Sequence, residues 1–144
     1  SYGPFTLLGE YNVAQIERET GSTLEFTSWH VGLHWLFGAA PYAKSYRIDD
    51  GEFKRPVAEQ DFSLSGGGMG AWELAARYAA IDLNDGDVVG GTEATTSLAV
   101  NWYINNNIRM MFDWTHILDT DGSNTVRREA EGMDILQTRL QWTY

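Results

Sequence analysis

Residues 70–80 read Gly-Ala-Trp-Glu-Leu-Ala-Ala-Arg-Tyr-Ala-Ala, and two kinds of side chain alternate along them. Trp72 and Leu74 occupy even-numbered positions, whereas Glu73 and Arg77 occupy odd-numbered ones. Because successive side chains of a β-strand point to opposite faces, this period of two predicts a strand with one apolar and one polar face. Such a strand suits a sheet that separates an apolar environment from water.

The same alternation recurs in five other stretches, whereas helical periodicity is hard to find. The apolar rows run from Phe5 to Val13, Trp29 to Phe37, Leu98 to Ile104, Ile108 to Trp114 and Leu136 to Tyr144. Polar or glycine-containing connections lie between the rows, at residues 17–22, 38–70, 82–91, 105–107 and 119–132. The sequence therefore predicts an all-β fold of about six antiparallel strands.

Aromatic residues stand near the ends of several apolar rows, where an interfacial girdle requires them. The candidates for this girdle are Trp72, Tyr78, Trp102, Trp114, Trp142 and Tyr144. In an outer-membrane β-barrel the apolar face meets lipid, and Trp and Tyr gather at headgroup depth. In a carbohydrate-binding platform the rings would instead cluster in loops or on one patch of a sheet, so the transmembrane barrel is favoured.

The opposite rows contain charged residues suited to a wet interior, and we predict that five of them line a pore. These five are Glu73, Arg77, Arg109, Asp113 and Arg139. The three arginines could attract anions, as basic side chains do in a constriction. Alternatively, they pair with Glu73, Asp113 or similar neighbours and only keep the wall hydrated and rigid.

The lengths of the connections differ between the two ends of the predicted sheet. The turn at 105–107 is short, and its asparagines tolerate the left-handed conformations of hairpin turns. The connection at 119–132 is long, and the long loops of outer-membrane barrels lie outside the cell. Successive antiparallel strands run in opposite directions, so successive connections lie on alternate sides of the membrane. This alternation places the loop at 82–91 outside and the 38–70 segment on the periplasmic side. Since 38–70 is long for a periplasmic turn, we expect it to tuck into the lumen or to cover the barrel mouth.

The composition excludes several classes of protein. The net charge of -10 argues against nucleic-acid binding, which needs clustered Lys and Arg. The absence of cysteine excludes disulfides and thiolate metal sites. No run approaches the roughly 20 apolar residues of a membrane helix. The chain opens at Ser1 without a basic leader, which indicates that a signal peptide was removed or that the sequence starts inside a longer chain.

No arrangement of residues predicts an enzyme, a cofactor or a metal site. His30 and His34 lie about 13 Å apart along one strand, too far for joint ligation, and with His116 they are expected to be ordinary lumen residues. The run from Asp119 to Asn124 lacks the spacing and the terminal Glu of a calcium loop, so it is interpreted as a polar turn. No Ser-His-Asp set can be assigned.

The strand count raises a question of completeness. Six strands are fewer than the roughly eight of the smallest closed membrane barrels. An open sheet in lipid would leave unpaired edge groups that each cost several kcal/mol. Either further strands lie outside this sequence, or the stretches 42–48 and 52–64 supply two more.

Several stretches, taken in their order and spacing, point to one known family. They are Trp29–Phe37, Gly38–Tyr42, Gly51–Pro56, Gly70–Tyr78, Ile81–Asp85, Asn101–Arg109 and Arg139–Trp142. Together they resemble the phosphate-selective porin O and P family, from about Ser28 to the C-terminus and most strongly at residues 70–118. The resemblance implies that residues 1–144 are the C-terminal part of a sixteen-stranded barrel subunit, with a long inserted connection at 38–70, and that the subunit forms a homotrimer.

The resemblance also implies a passive channel in the outer membrane of a Gram-negative bacterium, in contact with lipid and lipopolysaccharide. Its solutes would be small, hydrophilic and anionic, such as phosphate. The closing alternation that ends at Tyr144 resembles the terminal pattern that the assembly machinery reads in outer-membrane barrels. Two alternatives remain: a complete eight-stranded outer-membrane protein with a structural or adhesive role, and a soluble lipocalin-like barrel that holds an apolar ligand.

Overall fold

The computed structural model of the chain describes residues 1–49, 51–121 and 130–143. Its elements are β1 (Phe5–Ile16), β2 (Leu24–Phe37), α1 (Tyr42–Ser45), β3 (Tyr46–Arg47), β4 (Glu52–Phe53), β5 (Ala71–Asp85), β6 (Val88–Tyr103), β7 (Ile108–Asp121) and β8 (Asp134–Trp142). Six of the strands form one antiparallel sheet in the order β1-β2-β5-β6-β7-β8. The expected all-β fold of six antiparallel strands is confirmed.

The register keeps side chains of one kind together on each face of the sheet. Trp72 of β5 lies opposite Phe37 of β2 and Trp102 of β6. The next residue, Glu73, lies opposite Asn101. Because residues directly opposite each other on adjacent strands point to the same side, the period of two in the sequence gives the whole sheet an apolar face and a polar face.

The apolar face carries large side chains that are widely exposed. Leu136 is 80 % exposed, Trp142 72 % and Leu7 68 %. A soluble barrel of the lipocalin type turns its apolar face inward, where side chains interlock. The exposed face therefore argues against the lipocalin-like alternative and fits a wall that faces lipid.

Asparagine side chains build the turn between β6 and β7. Asn105 Oδ1 accepts hydrogen bonds from the backbone N–H groups of Asn107 and Ile108, at 2.9 and 2.8 Å. Asn107 bonds Thr143 through both its side chain and its backbone. The tight turn is confirmed, but the expected reason for it is wrong. No described residue other than glycine has a positive φ, so the asparagines act through their side chains and not as left-handed residues.

The expectation that residues 82–91 form a loop is wrong, because β5 and β6 extend through most of this stretch. β5 ends at Asp85 and β6 begins at Val88, so two residues form the whole connection. Gly86 takes a φ of +56° there, a conformation that other residues rarely adopt. Polar residues do not mark the end of a strand here, since a strand that continues beyond an apolar band carries polar side chains on both faces.

An ion pair links this hairpin to the connection between β1 and β2. Arg18 donates to both carboxylate oxygens of Asp87, at 3.0 and 2.7 Å. The hydrogen bond from Arg18 lowers the pKa of Asp87, and the hydrogen bond to Asp87 raises the pKa of Arg18. Asp87 is largely exposed, so solvent screens the pair. We call this end of the sheet the loop end, and the opposite end, with the turn between β6 and β7, the turn end.

The 38–70 segment lies at the turn end, between β2 and β5. It contains α1, β3 and β4, and the two short strands pair with each other in a separate sheet. Among the described residues, no helix has the length and apolar character needed to cross a membrane. The stretches 42–48 and 52–64 do not add two strands to the main sheet. This argues against the alternative of a complete eight-stranded outer-membrane protein, which requires those two strands.

A small apolar core holds the segment against the sheet. Its members are Leu36, Ala39, Ala71 and Tyr103, with Tyr42 and Ala58 packed against them. Leu36, Ala71 and Tyr103 are strand residues with the same parity in the register as Glu73, so they lie on the polar face. The segment therefore packs on the polar face, as expected for a connection that tucks inward.

We predict that Gly70→Ala destabilises the fold more than Gly67→Ala does. Both glycines have a left-handed φ, +73° and +76°. Each alanine therefore costs about 1–2 kcal/mol in backbone conformation. A Cβ at position 70 would also overlap the carbonyl oxygen of Tyr103, whereas nothing lies within 4 Å of a Cβ at position 67. The temperature at which the folded barrel loses its compact migration on gel electrophoresis measures both variants, and equal temperatures would contradict the close approach at Gly70.

Candidate functional site

The polar face brings together the residues that were predicted to line a pore. The five residues are Glu73 and Arg77 of β5, Arg109 and Asp113 of β7, and Arg139 of β8. One register row runs from Glu73 through Asn101 and Met111 to Arg139, across four strands. The structure places all five on one face, and their lining of a pore stays a prediction.

Glu73 is only 4 % exposed although it lies on the polar face. His34 Nδ1 donates to its Oε1 at 2.8 Å. Asn101 Nδ2 and the Tyr103 hydroxyl donate to its Oε2, at 3.0 and 2.9 Å. Tyr42 of the 38–70 segment packs against the core that contains Tyr103, and its hydroxyl lies near this carboxylate. Hydrogen bonds to an ionised group are shorter and stronger than neutral ones, so this set holds Glu73 in one position.

The ring of Tyr103 packs beside two guanidinium groups. Arg109 Cζ lies 5.5 Å from the ring centroid, and Arg55 Cζ lies 6.0 Å from it. Arg109 also donates to the Tyr103 hydroxyl at 3.4 Å and to Gln141 Oε1 at 2.7 Å. Cation–π contacts contribute about 0.5–1 kcal/mol at exposed sites and more where water is excluded. Tyr103 therefore joins the Glu73 carboxylate to the basic residues of the turn end.

Arg55 comes from the 38–70 segment and reaches the last described residue of the chain. Its Nη1 donates to Thr143 Oγ1 at 2.6 Å, across 88 residues of sequence. Burial lowers the pKa of Arg55, and the nearby charge of Arg109 lowers it further. Within the described residues, Arg55 Nε, Arg55 Nη2 and Arg109 Nε are buried donors without a partner. Buried donors in proteins are nearly always paired, so these three N–H groups keep the capacity to donate to an acceptor.

Arg77 and Arg139 are exposed on the polar face. In the part of the chain that the structure describes, neither forms an ion pair, and the hydrogen-bond acceptors of Arg109 are uncharged. Glu73 bonds His34 instead of an arginine. The interpretation that these arginines pair with Glu73 or Asp113 is therefore wrong for the described residues.

Trp72 and Trp102 stack on each other at the turn end of the apolar face, with ring centroids 5.0 Å apart. Both indole N–H groups donate to the carbonyl oxygen of Met69, at 3.1 and 2.9 Å. Phe62 packs edge-on against Trp102. Rings with one apolar side and a satisfied N–H group suit headgroup depth, where lipid gives way to water.

The other predicted girdle residues occupy different places. Tyr78 packs against Trp29 with ring centroids 5.3 Å apart, but it lies in the middle of β5, so its expected place near a strand end is wrong. Trp142 ends β8 at the turn end, and Tyr144 lies outside the described residues. Trp114 lies in the middle of β7, because the strand continues well beyond it. The expectation that Trp114 stands near a strand end is therefore wrong.

His116 lies on the apolar face, so its expected lumen position is wrong. Its register partner is Thr96, which lies opposite Tyr78. The His116 ring stacks on Trp114, and its Nδ1 donates to Asp134 Oδ1 at 2.8 Å. Asp134 Oδ1 also accepts a hydrogen bond from the Trp114 indole. These polar contacts mark the boundary of the apolar face on β7 and β8.

The structure places no metal-binding group in the residues that it describes, where no three His, Asp or Glu side chains come together to hold an ion. His34 is engaged by Glu73. Of the run from Asp119 to Asn124, the first three residues belong to β7 and residues 122–124 lie outside the described part.

Sequence reasoning misses Tyr103, Tyr42 and Arg55. Tyr103 belongs to the polar row of β6, so the alternation contains a signal that could have identified it. Tyr42 and Arg55 lie in the 38–70 segment, which shows no period. Only the folded chain brings them to Glu73.

Comparison with known proteins covers the whole chain. The family model for phosphate-selective porin O and P matches residues 1–144. An uncharacterized protein of Caulobacter vibrioides is 35% identical over 77 residues, which cover 54% of this chain and 15% of that protein. Porin O of Pseudomonas aeruginosa is 23% identical over 151 residues, which cover 99% of this chain and 33% of that protein. The chain therefore spans about a third or less of the length of these relatives.

We predict that Tyr103→Phe lowers the free energy of unfolding by about 1.5–3 kcal/mol, as expected for a lost hydrogen bond to a charged group. The variant keeps the buried ring but removes the donor to Glu73 Oε2. Tyr78→Phe is the matched control, because the Tyr78 hydroxyl has no hydrogen bond among the described residues. Denaturant unfolding in detergent measures both variants. A loss for Tyr103→Phe that is no larger than that for Tyr78→Phe would rule out the hydrogen bond as a source of stability.

Proposed function

Because the chain belongs to the phosphate-selective porin O and P family, we propose that it forms part of the wall of a passive diffusion channel and not an enzyme. It is an outer-membrane protein of a Gram-negative bacterium. The exposed apolar face supports contact with lipid, and the opposite polar face supports a water-filled lumen. Such a channel needs no cofactor, since pore width and the field of the lining side chains decide what passes.

The edges of the sheet support a larger barrel. Among the described strands, β1 pairs with β2 alone and β8 pairs with β7 alone, so each has one edge of unpaired backbone groups. In lipid each such group costs several kcal/mol, and a closed barrel avoids the cost by pairing every strand on both sides. The edges support a barrel with further strands, and family membership is the ground on which we propose the C-terminal part of a sixteen-stranded subunit. A homotrimer in contact with lipopolysaccharide is proposed from family membership alone.

The preference for small anions such as phosphate rests on the arginines of the polar face. Arg55 and Arg109 lie near each other with spare donors, and Arg77 and Arg139 are exposed without an ion pair in the described chain. A guanidinium group stays charged and can bind a phosphate or carboxylate through two donors. Basic side chains along a pore raise the local concentration of anions and favour their passage.

On the strands of the same face, acidic residues offset only part of this charge at the turn end. Glu73 is buried and bonded by His34. Among the described strands of the sheet, Asp113 is the other carboxylate in the turn-end half of the polar face. Glu10 and Glu93 lie toward the loop end. Positive charge is therefore in excess on the strands near the turn between β6 and β7.

We predict that the complete subunit forms anion-selective channels in planar lipid bilayers. Under gradients of potassium chloride and potassium phosphate, the sign of the reversal potential should indicate anion permeation. Replacing Arg77 and Arg139 together with Gln should shift the reversal potential toward that of potassium, because the change removes two unpaired positive charges from the polar face.

Arg18→Gln is the matched control for this experiment. It also removes an arginine charge, but one that is paired with Asp87 at the loop end. The control should keep the wild-type reversal potential. A wild-type channel that prefers potassium to both anions would overturn the anion preference, and a complete subunit without any channel activity would overturn the proposed function itself.

A further inference from the structure

Glu73 is covered by another part of the chain, whereas Arg77 on the same face of the same strand is open to solvent. The cover is the 38–70 segment, whose Ala39 and Tyr42 pack in one core with Tyr103. A carboxylate that is 4 % exposed does not meet a passing solute. Contact with solutes in a pore therefore does not explain why a carboxylate stands at position 73.

The hydrogen bonds of Glu73 join the wall to the segment. His34, Asn101 and Tyr103 supply three donors from β2 and β6. A carboxylate has about four acceptor positions, and the hydroxyl of Tyr42, which packs against the core with Tyr103, lies near it as a further donor. Burial raises the pKa of the Tyr42 hydroxyl above its usual range, and the nearby Tyr103 and Glu73 raise it further, so the hydroxyl stays protonated and able to donate. The set of partners is complete only while the segment is docked.

Two other contacts fasten the segment at the same end of the sheet. Arg55 packs beside the Tyr103 ring and donates to Thr143. The backbone N–H of Phe62 donates to the carbonyl oxygen of Ile104 at 2.8 Å. These contacts fasten the segment to the sheet at several points, and Tyr42 is the segment residue named here that lies near Glu73.

We infer that Glu73 is a positioning residue, which docks the 38–70 segment on the polar face and thereby sets the open width of the pore at the turn end. The inference rests on the proposed channel function. A segment held against the inner face of a barrel narrows the passage, and width is one of the properties that decide what a pore admits. Loss of the contact between Glu73 and Tyr42 frees this part of the segment and widens the passage.

Single-channel conductance of the complete subunit tests the inference. Glu73→Ala removes the anchor, and Tyr42→Phe removes only the hydroxyl of the segment, without a change in charge. We expect each variant to shift the channel to a larger conductance with unstable current levels. The double variant should show no further increase, because both changes act through one contact. Tyr11→Phe, which removes a hydroxyl from the exposed apolar face, is the control and should keep the wild-type conductance.

A labelling experiment follows docking without measuring current. The chain has no cysteine. Ala39 of the segment is only 9% exposed, because it lies in the core between the segment and the sheet. Ala39→Cys, in a subunit free of other cysteines, should therefore react slowly with a thiol reagent. Addition of Glu73→Ala or Tyr42→Phe should raise the labelling rate severalfold.

The outcomes separate this inference from the proposed function. Wild-type conductance and wild-type labelling in the Tyr42→Phe variant would overturn the inference and leave the channel function standing, even if Glu73→Ala fails to fold. An increase in conductance for Glu73→Ala alone would also overturn it, since that result indicates a lining charge and not a dock. A wild-type subunit that conducts no current would overturn the proposed function together with the inference.

Discussion

In lipid, every backbone N–H and C=O group must find its partner within the protein, and the rest of this structure depends on that constraint. Among the described residues, six long strands bond to their neighbours across one sheet, and the outer edges of β1 and β8 have no partner there. With the backbone fixed in this way, successive side chains have only two directions, so the parity of the residue number separates lipid from water. Trp72 lies on one face and Glu73 on the other for this reason, and each candidate functional residue has its place from the same rule.

The constraint also decides where irregular chain can lie. The described residues of the 38–70 segment form one helical turn and two very short strands, so many of the segment's backbone groups depend on water or on other parts of the protein. Irregular backbone is tolerated at membrane depth only where protein covers it or where it borders a water-filled cavity. The segment accordingly packs on the polar face through Ala39, Tyr42 and Arg55. At the rim, Phe62 and Met69 bring it to the aromatic pair of the apolar face.

The sequence predicts the wall of the sheet better than its ends. One periodicity governs both the strands and the direction of each side chain, so the six strands and the face of Glu73 follow from the alternation. Polarity taken without this rule misplaces the loop at 82–91 and His116. Beyond the apolar band both faces meet water, so a polar residue there indicates neither a turn nor a lumen position, and the parity of His116 is that of Trp114 on the apolar face. The contact between Arg55 and Thr143 spans 88 residues, and no local pattern encodes it.

The net charge of -10 does not describe the surface that a solute in the pore would meet. Many acidic residues lie toward the loop end, including Asp82, Asp85, Asp87, Asp119 and Asp121. Glu73 is buried among its donors, so a solute in the pore does not contact it, whereas Arg77 and Arg139 are exposed. Charges in physiological salt are screened over about 8 Å, so a solute responds to the nearest side chains and not to the sum over the chain. A chain with a negative net charge can therefore build a strand wall that favours anions, because on the polar face the exposed Arg77 and Arg139 together with Arg109 outnumber the accessible carboxylate of Asp113.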